Sequence, residues 1–285
     1  MTQTLYICML NADVPVPAVH ENRATTYGQI FHSLLCKAAK NTLSNLTIKS
    51  TDFDVKKFEY PINVSDFDAI VISGSANSAY DDLEWIHNLT KFIKDVYHNK
   101  SEIKIFGSCF GHQLIGHSLL GPYDVRVERD PKGWELGVRE ITLHPKFRKV
   151  FSTNATNGAP VQEKMRLQFI HHDHVLVPRE NALPASWLTL GSTSHCAVQG
   201  VYDPGRILTF QGHFEFDRFV NGETLKFFFP DMKPESLAEA LKSVDKDDDA
   251  EVAAKMVLDF FLEDTKRSGT MHEVVMGLIT PPMSE

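Results

Sequence analysis

Cysteine is scarce in this chain of 285 residues: only Cys8, Cys36, Cys109 and Cys196 occur, widely spaced and without a Cys-x-x-Cys pair. That pattern argues against a disulfide framework and points to free thiols in a reducing compartment. A cationic excess is also missing. Lys and Arg number 29 against 37 Asp and Glu, a formal charge of −8, so no broad basic surface for nucleic acid is expected. No apolar run approaches the length of a membrane span. The first ten residues lack a basic region, and their apolar stretch is too short for a signal peptide. The expectation is a cytoplasmic protein with no membrane partner. There is no internal repeat, no low-complexity linker and no Gly-x-x-x-x-Gly-Lys-Ser/Thr phosphate loop.

What is present is an ordinary globular composition, 42% hydrophobic and 23% charged, with ample material for a large core. The length fits one elaborated domain, or a domain with a small appendage.

Short β-branched runs alternate with helical spacing in the first half. Leu5 to Leu10, Ala69 to Ser73 and Ile103 to Phe106 read as buried strands, with Leu46 to Ile48 and Phe53 to Phe58 as weaker ones. Tyr27 to Ala39 and Leu83 to Tyr97 carry helical apolar spacing. This alternation predicts an α/β fold with a mostly parallel sheet covered by helices on both faces. Ligands of such sheets sit at the carboxyl ends of the strands. Between Asp124 and Phe210, short strand candidates separated by turns predict antiparallel β structure added to the sheet. They are Asp124 to Glu128, Trp134 to Leu143, Leu167 to Ile170, Ser186 to Leu190, Ala197 to Tyr202 and Ile207 to Phe210. Helical patterns return from Arg218. A charged loop from Ser243 precedes a helix over Ala250 to Thr265, and the tail after Arg267 is expected to be loosely held. The chain is read as a main domain over 1–220 with a helical extension packed on it over 221–285.

Gly107-Ser108-Cys109-Phe110-Gly111-His112-Gln113 is the most pointed local pattern. An apolar run leads in and a helix-compatible run leads out, with a cysteine at the apex. The flanking glycines allow a tight turn free of Cβ clashes. Such a turn presents a nucleophile at a strand end, as in the Gly-x-Ser-x-Gly elbow, and the helix start favours thiolate. A buried helical cysteine beside a glycine-rich turn satisfies the same spacing. Gln211-Gly212-His213-Phe214-Glu215 supplies a base and an orienting acceptor. In an extended segment His213 and Glu215 point to one side, so Glu215 fixes the tautomer and the other ring nitrogen is left for Cys109. A surface histidine with a nearby glutamate is the plain alternative. Backbone N–H groups of Phe110 and of the Gly74-Ser75 turn are candidates for an oxyanion hole, though Gly74-Ser75 also reads as an ordinary turn. His171-His172-Asp173-His174 lacks the spacing of known zinc motifs, so no metal is expected and a polar loop facing a ligand is the better reading.

Taken in order, Gly-x-Cys-x-Gly-His-Gln, His-x-Asp-His-Val and Gln-Gly-His-x-Glu-Phe resemble the class I glutamine amidotransferases, from about Leu5 to Phe219. Ser73-Gly74-Ser75 followed by Ala79-Tyr80-Asp81 resembles the family's oxyanion loop. The His-Asp-His-Val variant resembles a stand-alone branch, related to guanylate-synthase amidotransferase domains, that includes γ-glutamyl peptidases. The resemblance implies a flavodoxin-like sheet, no cofactor, and a small γ-glutamyl substrate. It implies Cys109 as nucleophile, His213 as proton shuttle, Glu215 as its orienter, and Phe110 N–H with the Gly74 loop as oxyanion hole. Gln113 and the His172-Asp173 loop would contact the glutamyl α-amino and α-carboxylate groups. The implied chemistry is hydrolysis of a γ-glutamyl amide through a thioester. A glutaminase subunit feeding a separate synthase, a non-catalytic binding protein and another thiol chemistry remain alternatives. Phe214 stands where the family usually has proline, and residues beyond about Asn221 are atypical of it.

Overall fold

The computed structural model describes residues 3–42, 45–154, 160–179 and 182–263. The expected loose tail after Arg267 lies outside the described residues. In chain order the elements are β1 (Gln3–Asn11), α1 (Pro17–Asn22), α2 (Tyr27–Thr42), β2 (Leu46–Asp54), β3 (Ala69–Ile72), α3 (Glu84–Asn99), β4 (Lys104–Ser108) and α4 (Phe110–Leu120). They continue as β5 (Arg126–Arg129), β6 (Glu135–Leu143), α5 (Pro145–Asn154), β7 (Lys164–His171), β8 (Asp173–Leu176), β9 (Leu188–Thr189), β10 (Gly191–Ser192), β11 (Val201–Asp203) and β12 (Ile207–Phe210). Three helices follow: α6 (Arg218–Phe228), α7 (Pro234–Val244) and α8 (Ala250–Phe261).

The main sheet has seven strands in the order β2-β1-β3-β4-β12-β11-β9. From β2 to β12 all neighbours pair in parallel, and β11 is antiparallel to both β12 and β9. Period-two alternation assigns each side chain to a face. Met9, Val71, Phe106 and Leu208 enter one apolar cluster with α2 and α8. Leu10, Ile70, Ile105 and Ile207 enter the other, with α3 and α4. Both faces are therefore covered, which is why these strands read as continuous apolar runs.

Three expectations are corrected. β12 is not an added antiparallel strand; it lies beside β4 in parallel, with Gly107 opposite Thr209 and Ser108 opposite Phe210. The two weak strands before residue 60 are one edge strand, β2, whose Lys49, Ser50 and Thr51 hid its length because only β1 pairs with it. The middle strands do not all join the main sheet. β10-β6-β7 and β5-β8 form separate antiparallel sheets.

The last helices are held to the same body. α8 places Ala253, Val257, Phe260 and Phe261 in the apolar cluster of α2. Glu263 closes its end, accepting from Tyr202 Oη at 2.6 Å and Gly205 N at 2.7 Å. No helix among the described residues is long and apolar enough to cross a membrane.

Candidate active site

β3, β4 and β12 are adjacent and parallel, so the segments leaving their carboxyl ends meet at one edge of the sheet. Those segments are the Gly74-Ser75 turn, the cysteine elbow and Gln211 to Glu215. Cys109 stands between the last residue of β4 and the first of α4 with φ 49° and ψ −102°. That is a sparsely populated backbone region for a residue with a Cβ, of the kind that clusters at functional turns. Neither neighbouring glycine has positive φ; the unusual backbone belongs to the cysteine itself. The glycines are needed for close approach instead. A Cβ on Gly107 would lie 2.5 Å from the Gly111 backbone, and one on Gly111 would lie 2.6 Å from the Ile72 carbonyl oxygen. α4 can dock into the β3–β4 groove only without those atoms.

His213 is buried, and its Nδ1 meets Glu215 Oε1 at 2.6 Å. Ser108 Oγ donates to the same carboxylate oxygen at 2.9 Å. The His213 ring lies flat on Phe216, centroids 4.0 Å apart, and the backbone of residue 213 is bridged to Gln168. Ring rotation is therefore blocked on several sides. Burial opposes the charged imidazole, but the Glu215 carboxylate and the adjacent Cys109 sulfur outweigh it and raise the His213 pKa to about 10. Gly74 completes the corner. A Cβ there would sit 3.0 Å from His213 Cε1 and 3.7 Å from Cys109 Cβ. The Phe110 N–H lies in the first turn of α4, where no preceding helical carbonyl accepts it.

The other cysteines lack this setting. Burial pushes the Cys196 thiol up to about 12, and burial with the nearby Asp52 charge raises Cys8 further.

Cys109, His213 and Gly74 line one open cavity of about 500 Å³. Its other walls come from the β1–α1 loop and from two regions that sequence reasoning missed: Trp134, just before β6, and Phe227 with Phe228 at the end of α6. A run of aromatics in a helix reads as core, so no sequence signal separated these from buried residues. The three residues expected to grip the glutamyl α-groups do not line this cavity. Gln113 Nε2 donates to the Asp173 carbonyl at 2.9 Å and to Gln211 Oε1 at 3.1 Å. His172 packs on Trp134, ring centroids 5.0 Å apart. Asp173 accepts from the exposed Tyr80 Oη at 3.2 Å. The His171–His174 segment is not a loop: it ends β7 and begins β8. Its His171 is hydrogen-bonded to Glu135 at 2.9 Å, and its His174 Nδ1 lies 3.2 Å from Asp130 Oδ2. Among the described residues no group of three or more His, Cys, Asp or Glu side chains is placed to hold a metal ion.

Gln211 is a further residue the sequence reading passed over, although it opens the same motif as His213. It is fully buried, and its Nε2 donates to Cys109 Sγ at 3.5 Å. Phe214, in the usual proline position, is buried against Phe31 and Phe106 at centroid distances of 5.4 and 5.6 Å. It fills the core and leaves the His213–Glu215 bond intact.

Comparison with known proteins converges on one family. The family described as "Glutamine amidotransferase class-I" matches residues 25–230. A glutamine amidotransferase-like protein of Schizosaccharomyces pombe is 31% identical over 268 residues, 90% of this chain and 99% of that protein. Gamma-glutamyl peptidase 3 of Arabidopsis thaliana is 31% identical over 157 residues, 54% of this chain and 57% of that one. Among solved structures, a glutamine amidotransferase from Methylobacillus flagellatus superposes with a TM-score of 0.59 at 15% identity, covering 100% of this chain and 99% of that one.

Proposed function

Because the chain belongs to the class I glutamine amidotransferase family, we propose that it hydrolyses a γ-glutamyl amide bond with Cys109 as nucleophile. The observation that carries this reading is the meeting of Cys109, His213 and Glu215 at adjoining strand ends, with Glu215 holding His213 at 2.6 Å.

Cys109 Sγ attacks the γ-carbonyl carbon, forming an S–C bond and an oxyanion. The Phe110 N–H and the Gly74 turn stabilise that charge. As the oxyanion collapses, the C–N bond breaks and the His213 imidazolium passes its proton to the leaving amine. Water then adds to the γ-glutamyl thioester and gives its proton to His213. Cleavage of the S–C bond releases glutamate and restores the thiolate–imidazolium pair. Glu215 keeps the Nδ1 proton oriented toward itself throughout, so Nε2 carries the shuttle. Gln211 steadies the sulfur by donating to it. The Gln113–Asp173 bond orders the segment that carries His172, which packs behind the cavity-lining Trp134. No cofactor enters these steps.

Glutamate release from glutamine and from a panel of γ-glutamyl conjugates, measured beside Cys109→Ala, tests the reading. Release that the substitution abolishes is expected. Equal release by the variant, or none from any compound, overturns it. Turnover of free glutamine alone would favour a subunit that hands ammonia to a separate synthase.

A further inference from the structure

Resting on that hydrolase reading, we propose that the leaving-group side of the cleft is built for an apolar amine that carries no carboxylate, such as an arylalkyl amine held in γ-glutamyl linkage.

Two independent features point there. The first is an aromatic wall. Trp134, Phe227 and Phe228 are 46%, 54% and 45% exposed, yet they line the same cavity as Cys109 and His213. Large aromatics facing solvent around a reactive group are the usual form of a recognition surface. This wall is also braced. Trp134 packs at a tilt on His172 and meets Phe229 edge-on at 4.8 Å, while Phe227 and Phe228 sit perpendicular at 5.2 Å. Rigid rings lose little entropy when a ligand covers them. The cavity volume, about 500 Å³, far exceeds what release of ammonia from glutamine needs.

The second feature is charge. No Lys or Arg lines the cavity; its acidic members are Asp13 and Glu21, and its histidines are His20 and His213. Asp13 is already committed, paired with Lys56 at 2.9 Å and accepting from Ala76 N at 3.0 Å. Glu21 has no ion pair among the described residues. A peptide leaving group ends in a carboxylate, which would meet acids and apolar rings but no Lys or Arg, and the His213 imidazolium is already held by Glu215. Leaving such a charge unpaired at an apolar wall is costly. An apolar amine without that group avoids the cost and buries its surface on the rings.

The test uses γ-glutamylphenethylamide and γ-glutamylphenylalanine, which differ by one carboxylate. With the wild-type chain, kcat/KM for the amide is expected to exceed that for the acid by about tenfold or more. Phe227→Ala/Phe228→Ala should raise KM for the amide more than it lowers kcat. Phe228→Lys should shift preference toward the acid. Binding is read separately in Cys109→Ser from quenching of Trp134, because Trp85 and Trp187 are buried; Trp134→Phe removes the signal. Equal kcat/KM for the two compounds, with glutamate still released, overturns this proposal and leaves the hydrolase reading standing. Preferential binding of the amide with no glutamate release overturns the hydrolase reading and with it the leaving-group role of the wall, leaving a binding surface for apolar amides. A dimer that Phe227→Ala/Phe228→Ala dissolves, with amide affinity unchanged, assigns the wall to a second copy and overturns the proposal.

Discussion

His213 bonds Glu215 at 2.6 Å and His171 bonds Glu135 at 2.9 Å, and both pairs are buried. They differ in what is left over. Both nitrogens of His171 are engaged: Nε2 faces Glu135, and Nδ1 meets the Asp173 carbonyl at 2.9 Å. Glu135 also accepts from Thr193 Oγ1 at 2.7 Å and Gln199 Nε2 at 2.8 Å. That pair is closed. His213 gives only Nδ1 to its carboxylate and turns its other edge to Cys109 and the cavity. Glu215 Oε2 has no partner among the described residues. A buried histidine–carboxylate pair is thus available for chemistry only when one nitrogen is withheld from the structure. The closed pair works at a distance: the Asp173 carbonyl that His171 holds also receives Gln113, which bonds Gln211, which bonds the Cys109 sulfur.

The largest way to break this contrast is at the open pair. Glu215→Gln should lower kcat/KM by about 10³- to 10⁴-fold, because the amide no longer fixes the productive tautomer or balances the imidazolium. Stability should fall as well, since one partner of a buried pair is lost, so activity is read at temperatures where the variant is folded. A loss of less than tenfold would place the two pairs in the same structural class.

Glu135→Gln should cost stability with little loss of activity. Removing one partner of a closed buried pair leaves His171 uncompensated and is expected to destabilise by about 3–5 kcal/mol, read by denaturant melting. Activity at temperatures where the variant is folded should fall by about tenfold at most, through a looser Gln113–Gln211 chain. A collapse of kcat in a fully folded variant would show that His171 acts in the chemistry.

How much of this was visible in sequence follows from where partners sit along the chain. The parallel core was legible because β1, β3 and β4 are buried on both faces and show as unbroken apolar runs. β12 has the same character, but it follows a stretch of short strands and was read with them; only its register beside β4 shows its place. α5 was missed although Phe147 and Phe151 carry its i, i+4 signal, because most of its other positions are polar. Within the site, Cys109, the Gly74 turn and the His213–Glu215 pair were legible since each is a local pattern at a strand end. Glu135 and His171 lie 36 residues apart, and nothing in either neighbourhood announces the other. The aromatic wall was hidden for a further reason: exposure of Phe227 and Phe228 is decided by how α6 lies on the molecule.

The subtlest effect is on pH, where the two pairs fail on opposite sides. The His213 pKa is raised from 6.5 to about 10. Below 6.5 both folded and unfolded chains hold the proton, and the pair's stabilisation is fully present. Between 6.5 and about 10 only the folded chain holds it, so stability drains as pH rises through that window. Glu135 moves the other way. Burial pushes its carboxyl up, but the bonds from His171, Thr193 and Gln199 prevail and hold it below the usual carboxylate range. Its contribution is present above the unfolded carboxylate pKa and is lost as acid titrates the folded group. Melting curves of wild type, Glu215→Gln and Glu135→Gln across pH should therefore diverge in different places. The gap between wild type and Glu215→Gln should narrow as pH rises toward 10, and that between wild type and Glu135→Gln should narrow in acid. The kcat/KM of the wild type should hold its alkaline limb near pH 10, since His213 must still carry the proton it gives to the amine. An alkaline limb near the ordinary histidine pKa would mean that Glu215 does not hold the ring charged, and the distinction between the open and closed pairs would lose its electrostatic basis.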